Sequence, residues 1–318
     1  MNDKQLANPQ LASLRDGDSF EGFYVVKESS FQTAVNGKNY IRMTISDATA
    51  SIVANIWDAN RDLYNLCPAG SIVKILGVAE SYKGKPQIRI GRFRPAHESE
   101  VSLDDFLPRT ANDIDAMRYE LLDMVESIRD RDYQALAQAF FNDADILKAF
   151  VRSPAARDLH HAFIGGLLEH TLNIARMADA FAAKAKVDRD LLLIGSLLHD
   201  IGKIEELSAK FAIDYTDSGK LLGHLFIGAQ MAAEKAAGIP DFPREKLWLV
   251  QHLILSHHGR YEYGSPVLPK IPEAFALHHL DNLDAKVETS NKLIDAIVDP
   301  EKNWTDFSRA LETQLYRK

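Results

Sequence analysis

The hydropathy pattern of this 318-residue chain changes period once, and that change constrains the fold more than any other feature. Up to about residue 95, apolar residues alternate or run in short aromatic and β-branched stretches. From Ile114 onward they recur at three- and four-residue intervals. A period near two specifies strands and a period near 3.6 specifies helices. The chain is therefore expected to hold a β unit followed by an α unit. Its length agrees, because roughly 100–200 residues per domain allows about two.

The β unit is expected over residues 1–98. Ser19–Lys27 is rich in aromatic and β-branched residues, and Asn36-Gly37 carries a hairpin signal. Asn39–Asp47 alternates, with Tyr40, Arg42 and Thr44 on one face and Ile41, Met43 and Ile45 on the other. Ser51–Trp57, Ser71–Glu80 and Pro86–Phe93 supply three more strands, with one short helix at Asn60–Leu66. Five strands with a helix between the third and fourth is the layout of an OB-fold barrel. Phe20, Trp57 and Phe93 are expected in its core.

Residues 99–115 read as a linker, and residues 116–318 as an all-α bundle. Helices are expected at Met117–Ile128, Gln134–Phe141, Ala162–Ala185, Arg189–His199, Leu221–Ala237, Arg244–His257 and Pro272–Val298. The stretch from Trp304 to Tyr316 has apolar residues at helical spacing. A helix there packs on its own domain or on a second copy, which leaves a homo-oligomer open. The Gly- and Pro-punctuated loop Tyr261–Pro272 is short enough to be functional.

Charge follows the same division. The net charge is −8, but residues 1–98 carry +2 and residues 99–318 carry −10. A field of the overall sign does not attract nucleic acid, so the whole-chain value conceals a mildly basic first unit. The single cysteine, Cys67, excludes an internal disulfide and fits a reducing compartment. No apolar run reaches the roughly 18–20 residues that span a bilayer, and Met1–Leu11 lacks the apolar core of a secretory signal. The expectation is a cytoplasmic protein with no membrane partner.

Of eleven histidines, ten lie between His160 and His279. The ordered set His170, His199-Asp200, His224, His257-His258 and Asp281 falls within helices or at their ends. A lone histidine on an apolar helix is more often a core or capping residue than a ligand, but this set is not lone. Imidazoles and carboxylates without thiols suit Mn, Fe, Co, Ni, Mg or Zn. An adjacent His-Asp at a helix end can serve two ions, with the imidazole on one and the carboxylate reaching to the other. Two ions about 3.5–4 Å apart are a recurring device for phosphoester hydrolysis. His160, His161, His252, His278 and His279 are expected to be structural or surface residues.

This set resembles the HD phosphohydrolase superfamily over about residues 160–285. The segments His199-Asp-Ile-Gly-Lys-Ile-Glu-Glu-Leu207, Asp214-Tyr-Thr216, Gly223-His-Leu-Phe-Ile227, Leu255-Ser-His-His-Gly259, Gly264-Ser-Pro266 and Leu280–Lys286 are more specific. Together they resemble the YhaM family of bacterial 3′→5′ exoribonucleases, which also carries an N-terminal OB-fold. The resemblance implies that His170, His199, Asp200 and Asp281 hold a first ion. Asp200 would bridge to a second ion held by His224 and His257, with His258 a ligand or a support. It implies two divalent ions, Mn²⁺ foremost, and catalytic roles for Asp200 and Lys203. Lys203 would donate to a phosphate oxygen or to the nucleophile; its bland alternative is a solvated helix-end lysine. Asp284, three residues past Asp281, either supports the site or only pairs at the surface. The loop Gly259–Pro266 lacks the Gly-Tyr-Pro element of cyclic-dinucleotide phosphodiesterases, which disfavours cyclic di-GMP as substrate.

Binding a single strand requires a basic groove and exposed aromatic rings. Lys83, Lys85, Arg89, Arg92 and Arg94 fall within twelve residues that contain no acid. Phe31, Tyr40 and Tyr82 are the expected stacking platforms. The resemblance implies that the substrate is single-stranded RNA, with single-stranded DNA as the other candidate, degraded from its 3′ end to nucleoside 5′-monophosphates. The alternative is a phosphohydrolase acting on a small or cyclic nucleotide.

Overall fold

A computed structural model describes residues 8–82, 84–101, 106–157, 161–209, 213–297 and 299–318. Lys83 and His160 lie outside the described residues. The chain divides near Arg109 and Thr110 into two compact units.

The first unit is a closed barrel of β1 (Ser19–Thr33), β2 (Asn39–Ser46), β3 (Ser51–Trp57), β4 (Ile72–Tyr82) and β5 (Lys85–Pro95). Helix α1 (Arg61–Asn65) lies between β3 and β4, and the Asn60 side chain accepts from the Leu63 amide to start it. The strand order is β1-β2-β3-β5-β4, which is the OB-fold arrangement. Closure depends on β1. Its first half pairs with β4 and its second with β2, and a register shift between Val26 and Glu28 lets it bend from one to the other. The alternation in β2 has its expected effect: Ile41, Met43 and Ile45 are buried, while Arg42 is exposed. Burying each such side chain contributes about 1.5–3 kcal/mol.

Two details differ from the sequence reading. Trp57 is not core; it is 49% exposed and stacks on Tyr40, its partner across β2 and β3, with ring centroids 4.9 Å apart. It ends β3, where the alternation turns its side chain outward. Phe106, within the expected linker, is buried against Val25 and Ile72.

The second unit is helical: α2 (Ile114–Glu126), α3 (Arg131–Phe141), α4 (Ala144–Arg152), α5 (Gly166–Ala182), α6 (Arg189–Leu198), α7 (Lys203–Glu206), α8 (Asp217–Ala237), α9 (Arg244–Ser256) and α10 (Pro272–Asp295). Asp113, Asp130, Asp143 and Asp188 each accept two amide hydrogens at the starts of α2, α3, α4 and α6, a device worth about 1 kcal/mol apiece. Helices α5 and α6 supply many of the buried leucines of the core, among them Leu167, Leu172, Leu193 and Leu197.

Four features depart from expectation. Helix α4 is additional; it is short, and Asp143 is its start signal. Helix α5 begins at Gly166 rather than Ala162, because His161 at φ +48° and Gly165 at φ +85° turn the chain before it. Two short strands, β6 (Leu207–Ala209) and β7 (Ile213–Tyr215), pair with each other between α7 and α8 in an otherwise helical stretch of sequence. The segment Trp304–Tyr316 is not a helix but doubles back on itself through bridges at Trp304–Tyr316 and Ser308–Thr313. Its apolar spacing serves a cross-chain pair instead, with the Trp304 and Tyr316 rings 5.1 Å apart and the Thr305 hydroxyl accepting from the Leu315 amide.

Candidate metal centre

Six segments of the helical unit converge. His170 lies in α5, His199-Asp200 at the end of α6, Lys203 and Glu206 in α7, and His224 in α8. His257-His258 follow α9, and Asp281 and Asp284 lie in α10. The turn carrying His199-Asp200 approaches α8 through Gly202. A Cβ there would stand 2.2 Å from the His224 carbonyl oxygen, so only glycine permits the contact. Helix α8 is broken one residue before its histidine, where Gly223 takes φ +73° and ψ 153°. That conformation reorients the chain at His224, and a side chain would strain it.

Five histidines are fixed in the same way. Each uses Nδ1 as a donor: His199 to the Ser196 carbonyl at 2.8 Å, His257 to the Ile254 carbonyl at 2.8 Å, and His258 to the Tyr263 carbonyl at 2.8 Å. His170 donates to Asp284 Oδ2 at 2.7 Å and His224 to Glu206 Oε1 at 2.9 Å. A carbonyl oxygen or an ionised carboxylate only accepts, so these Nδ1 atoms carry hydrogen, and each ring in its neutral form keeps its lone pair on Nε2. Such second partners orient histidine ligands in metal sites.

The Nε2 atoms gather on the two oxygens of Asp200. Oδ2 is 3.3 Å from His199 Nε2 and 3.5 Å from His170 Nε2. Oδ1 is 3.5 Å from His224 Nε2 and 3.6 Å from His257 Nε2. Asp281 Oδ1 joins the first group, 3.3 Å from His170 Nε2. His258 joins the second, its ligand atom within 4.8 Å of those of His224 and His257. Thus the carboxylate divides the donors into two sets, each of the residue types expected.

Three observations test whether a cation fits. Asp200 Oδ1 and His224 Nε2 are buried with no hydrogen-bond partner among the described residues. Leaving such groups bare costs about 1–3 kcal/mol each. The Nε2 atoms of His170 and His199 face each other at 3.3 Å, which a shared cation or an added proton relieves. The donors are imidazole and carboxylate throughout, a set that suits divalent ions. The residues fit the group.

The electrostatics agree. Burial acts to lower the His170 pKa, but hydrogen bonds with Asp200, Asp281 and Asp284 lift it well above the ordinary value. Burial raises the carboxyls of Asp200 and Asp281, but the Lys203 ammonium beside the first and the His170 hydrogen bond to the second outweigh it and hold both below the ordinary range. His257 is pushed well below the ordinary histidine range, chiefly by burial and then by His258, so its neutral form is favoured.

Lys203 is buried, with Nζ 2.6 Å from Asp200 Oδ2. It opens α7 rather than closing a helix, so the alternative of a solvated, dipole-stabilising lysine is wrong. Asp284 is not a surface pair. Its carboxylate accepts from His170, from His161 Nε2 at 2.9 Å and from Asn173 Nδ2 at 3.1 Å. His161 therefore supports the site, and the sequence carried no spacing signal for it. Glu206 was also missed. It accepts from both the backbone and the ring of His224 and lies one turn past Lys203, within reach of an i, i+3 argument. His278 donates Nδ1 to the His257 carbonyl at 2.8 Å and also lines the cavity beside the donors.

In the barrel, the expected nucleic-acid contacts fare unevenly. Lys85 and Arg92 are exposed, and Tyr82 is 58% exposed. Arg89 pairs with Glu80 at 2.5 Å, and Arg94 grips Glu100 with two bonds of 2.7 and 2.6 Å. Both acids lie outside the basic run, so counting within it overstated the free charge. Phe31 is half-buried against Tyr64, with Arg61 over its ring. Tyr40 stacks on Trp57. Among the described residues no helix is long and apolar enough to cross a membrane.

Comparison with known proteins places the donor set in context. Residues 167–286 match the model of the HD domain family. Over 306 residues, 95% of each chain, the protein is 34% identical to the 3′-5′ exoribonuclease YhaM of Bacillus velezensis. It is 33% identical to that of Bacillus subtilis, again over 306 residues and 95% of each chain. The HD match covers every residue of the two donor sets, and the HD domain together with these His and Asp clusters points to divalent-metal binding.

Proposed function

Because this chain belongs to the YhaM family of 3′-5′ exoribonucleases, we propose that it shortens single-stranded RNA from the 3′ end in a metal-dependent reaction, releasing nucleoside 5′-monophosphates. The observation that carries the reading is the division of donors across Asp200. His170, His199, Asp281 and Asp200 Oδ2 would hold one ion. His224, His257, His258 and Asp200 Oδ1 would hold a second. Imidazole and carboxylate donors without thiolate suit Mn²⁺, Fe, Co, Ni, Mg or Zn alike, and we put Mn²⁺ first on the family resemblance alone. Bound there, such ions acidify water and neutralise charge on a phosphoryl oxygen.

The protein's own groups do the positioning. The five Nδ1 anchors hold the imidazoles in place before substrate arrives, so little reorganisation is needed during reaction. Lys203 is a buried cation on the cavity lining, and its ammonium would meet a phosphoryl oxygen as charge accumulates. Its contact with Asp200 holds that side chain extended into the cavity. In the barrel, the Tyr40–Trp57 stack, Tyr82, Lys85 and Arg92 offer rings and charge for a single strand. Single-stranded DNA has the same stacking faces and backbone charge, so we include it as a weaker substrate.

The test is a 5′-labelled single-stranded RNA with Mn²⁺. Stepwise shortening of the labelled strand, stopped by chelator and abolished in Asp200→Ala, supports the reading. Internal cleavage, or equal activity in the variant, overturns it.

A further inference from the structure

The cavity beside the metal donors has a volume of about 340 Å³, at the small end of the roughly 300–1,000 Å³ of small-molecule sites. That is room for one nucleoside, not for a folded strand. One part of its lining is Asp200, Lys203 and the histidines, and another contains Tyr215 and Tyr263. These tyrosines are 38% and 53% exposed, so neither ring serves the core. Each carries an arginine: Arg157 stands 5.7 Å from the Tyr215 ring centroid and Arg260 stands 5.8 Å from that of Tyr263. Both distances fall within cation–π range, and both arginines are exposed. Tyr263 is also tied to the centre, because its carbonyl anchors His258. The unit that holds these pairs is strongly acidic overall, so two arginine–tyrosine pairs beside its metal donors oppose the general charge.

We propose that this cavity is the subsite for the 3′-terminal nucleoside, with the Tyr215 and Tyr263 rings against its base and Arg157 and Arg260 on the phosphates that follow upstream. The assignment rests on the exoribonuclease reading and adds to it the groups that hold the departing nucleotide. An exonuclease must place its terminal phosphodiester on the metal donors, which leaves the terminal base in the adjoining space. Rings accept every base because each base has a π-face. A guanidinium is planar by resonance, and a ring beneath it restricts its rotation and so orients it for a phosphate.

The test uses the full-length protein and two RNA oligonucleotides of one sequence, one with a natural 3′ end and one whose 3′-terminal residue lacks a base. Tyr215→Ala and Tyr263→Ala are each expected to lower kcat/KM about tenfold on the natural end, within the range of base–aromatic stacking. On the abasic end they change it less than about twofold, because the partner of the ring is already gone. Tyr215→Phe and Tyr263→Phe restore the natural-end rate. Arg157→Gln and Arg260→Gln raise KM on both ends and reduce its salt dependence. The subsite is overturned if either alanine variant loses as much on the abasic end as on the natural one, or keeps full rate on both. Failure of the exoribonuclease reading is distinct: the wild-type protein would then leave the natural end intact.

Discussion

His170 donates its Nδ1 hydrogen to Asp284 Oδ2 across 2.7 Å, on the opposite edge of the ring from Asp200 and Asp281. One bond therefore sets both the tautomer and the aim of a donor atom. Asp284→Asn removes the charge and half of the acceptor capacity. Metal affinity is expected to fall about 10–100-fold, the usual size for loss of such a support. Competition titration against a chromophoric chelator measures it. Unchanged affinity would mean that His170 is aimed by packing alone.

Proton competition gives the two donor sets different pH dependence. The pKa of His170 is raised in the metal-free protein, so this ring holds an extra proton at neutral pH. An ion entering the first set must displace that proton. Affinity there is expected to rise about tenfold per pH unit, levelling off above the raised value. His257 and His258 are lowered instead, both chiefly by burial, so they are neutral at pH 7 and add no such slope to the second set. The stability of the metal-free fold runs the other way. The contribution of His170 is complete below its unfolded value of about 6.5 and disappears as pH rises through the folded one. Calorimetry in two buffers of different ionisation enthalpy counts the protons released. A pH-independent affinity at both sets contradicts the assignment.

Gly202→Ala places a methyl group 2.2 Å from a backbone oxygen of α8. Backbone cannot rotate away as a side chain can, so the turn and α8 must separate. A loss of about 1–3 kcal/mol in urea denaturation is expected, together with weaker metal binding, since the turn carries Asp200 and α8 carries His224. Wild-type stability would show that the contact is loose.

Trp57 is half-exposed and stacked on Tyr40, so its removal takes little from the barrel core. Trp57→Ala is expected to weaken single-stranded RNA binding by about 1–3 kcal/mol, with a small change in Tm. Fluorescence anisotropy on the full-length protein reads the first and calorimetry the second. A large drop in Tm with unchanged binding would return Trp57 to the core.

Much of this was legible in the sequence because it depends on period and order. Alternation in β2 separated Ile41, Met43 and Ile45 from Arg42, and the order of histidines and aspartates named the donors that meet at Asp200. What stayed hidden depends on contacts between distant segments. His161 reaches Asp284 across more than a hundred residues, and no local pattern marks it. Trp57 looked like core because its composition is apolar; its position at the end of β3 decided otherwise. The fold of Trp304–Tyr316 was misread because apolar residues at helical spacing also suit a chain that doubles back and pairs across itself. The basic run of β5 looked free because its acids, Glu80 and Glu100, lie outside it.

The central claim is that Asp200 parts two sets of donors, and anomalous diffraction from crystals grown with Mn²⁺ tests it most directly. Two peaks are expected. One lies on the Oδ2 side with His170, His199 and Asp281, and the other on the Oδ1 side with His224 and His257. A single peak, or a second peak that does not touch Asp200, would contradict the account.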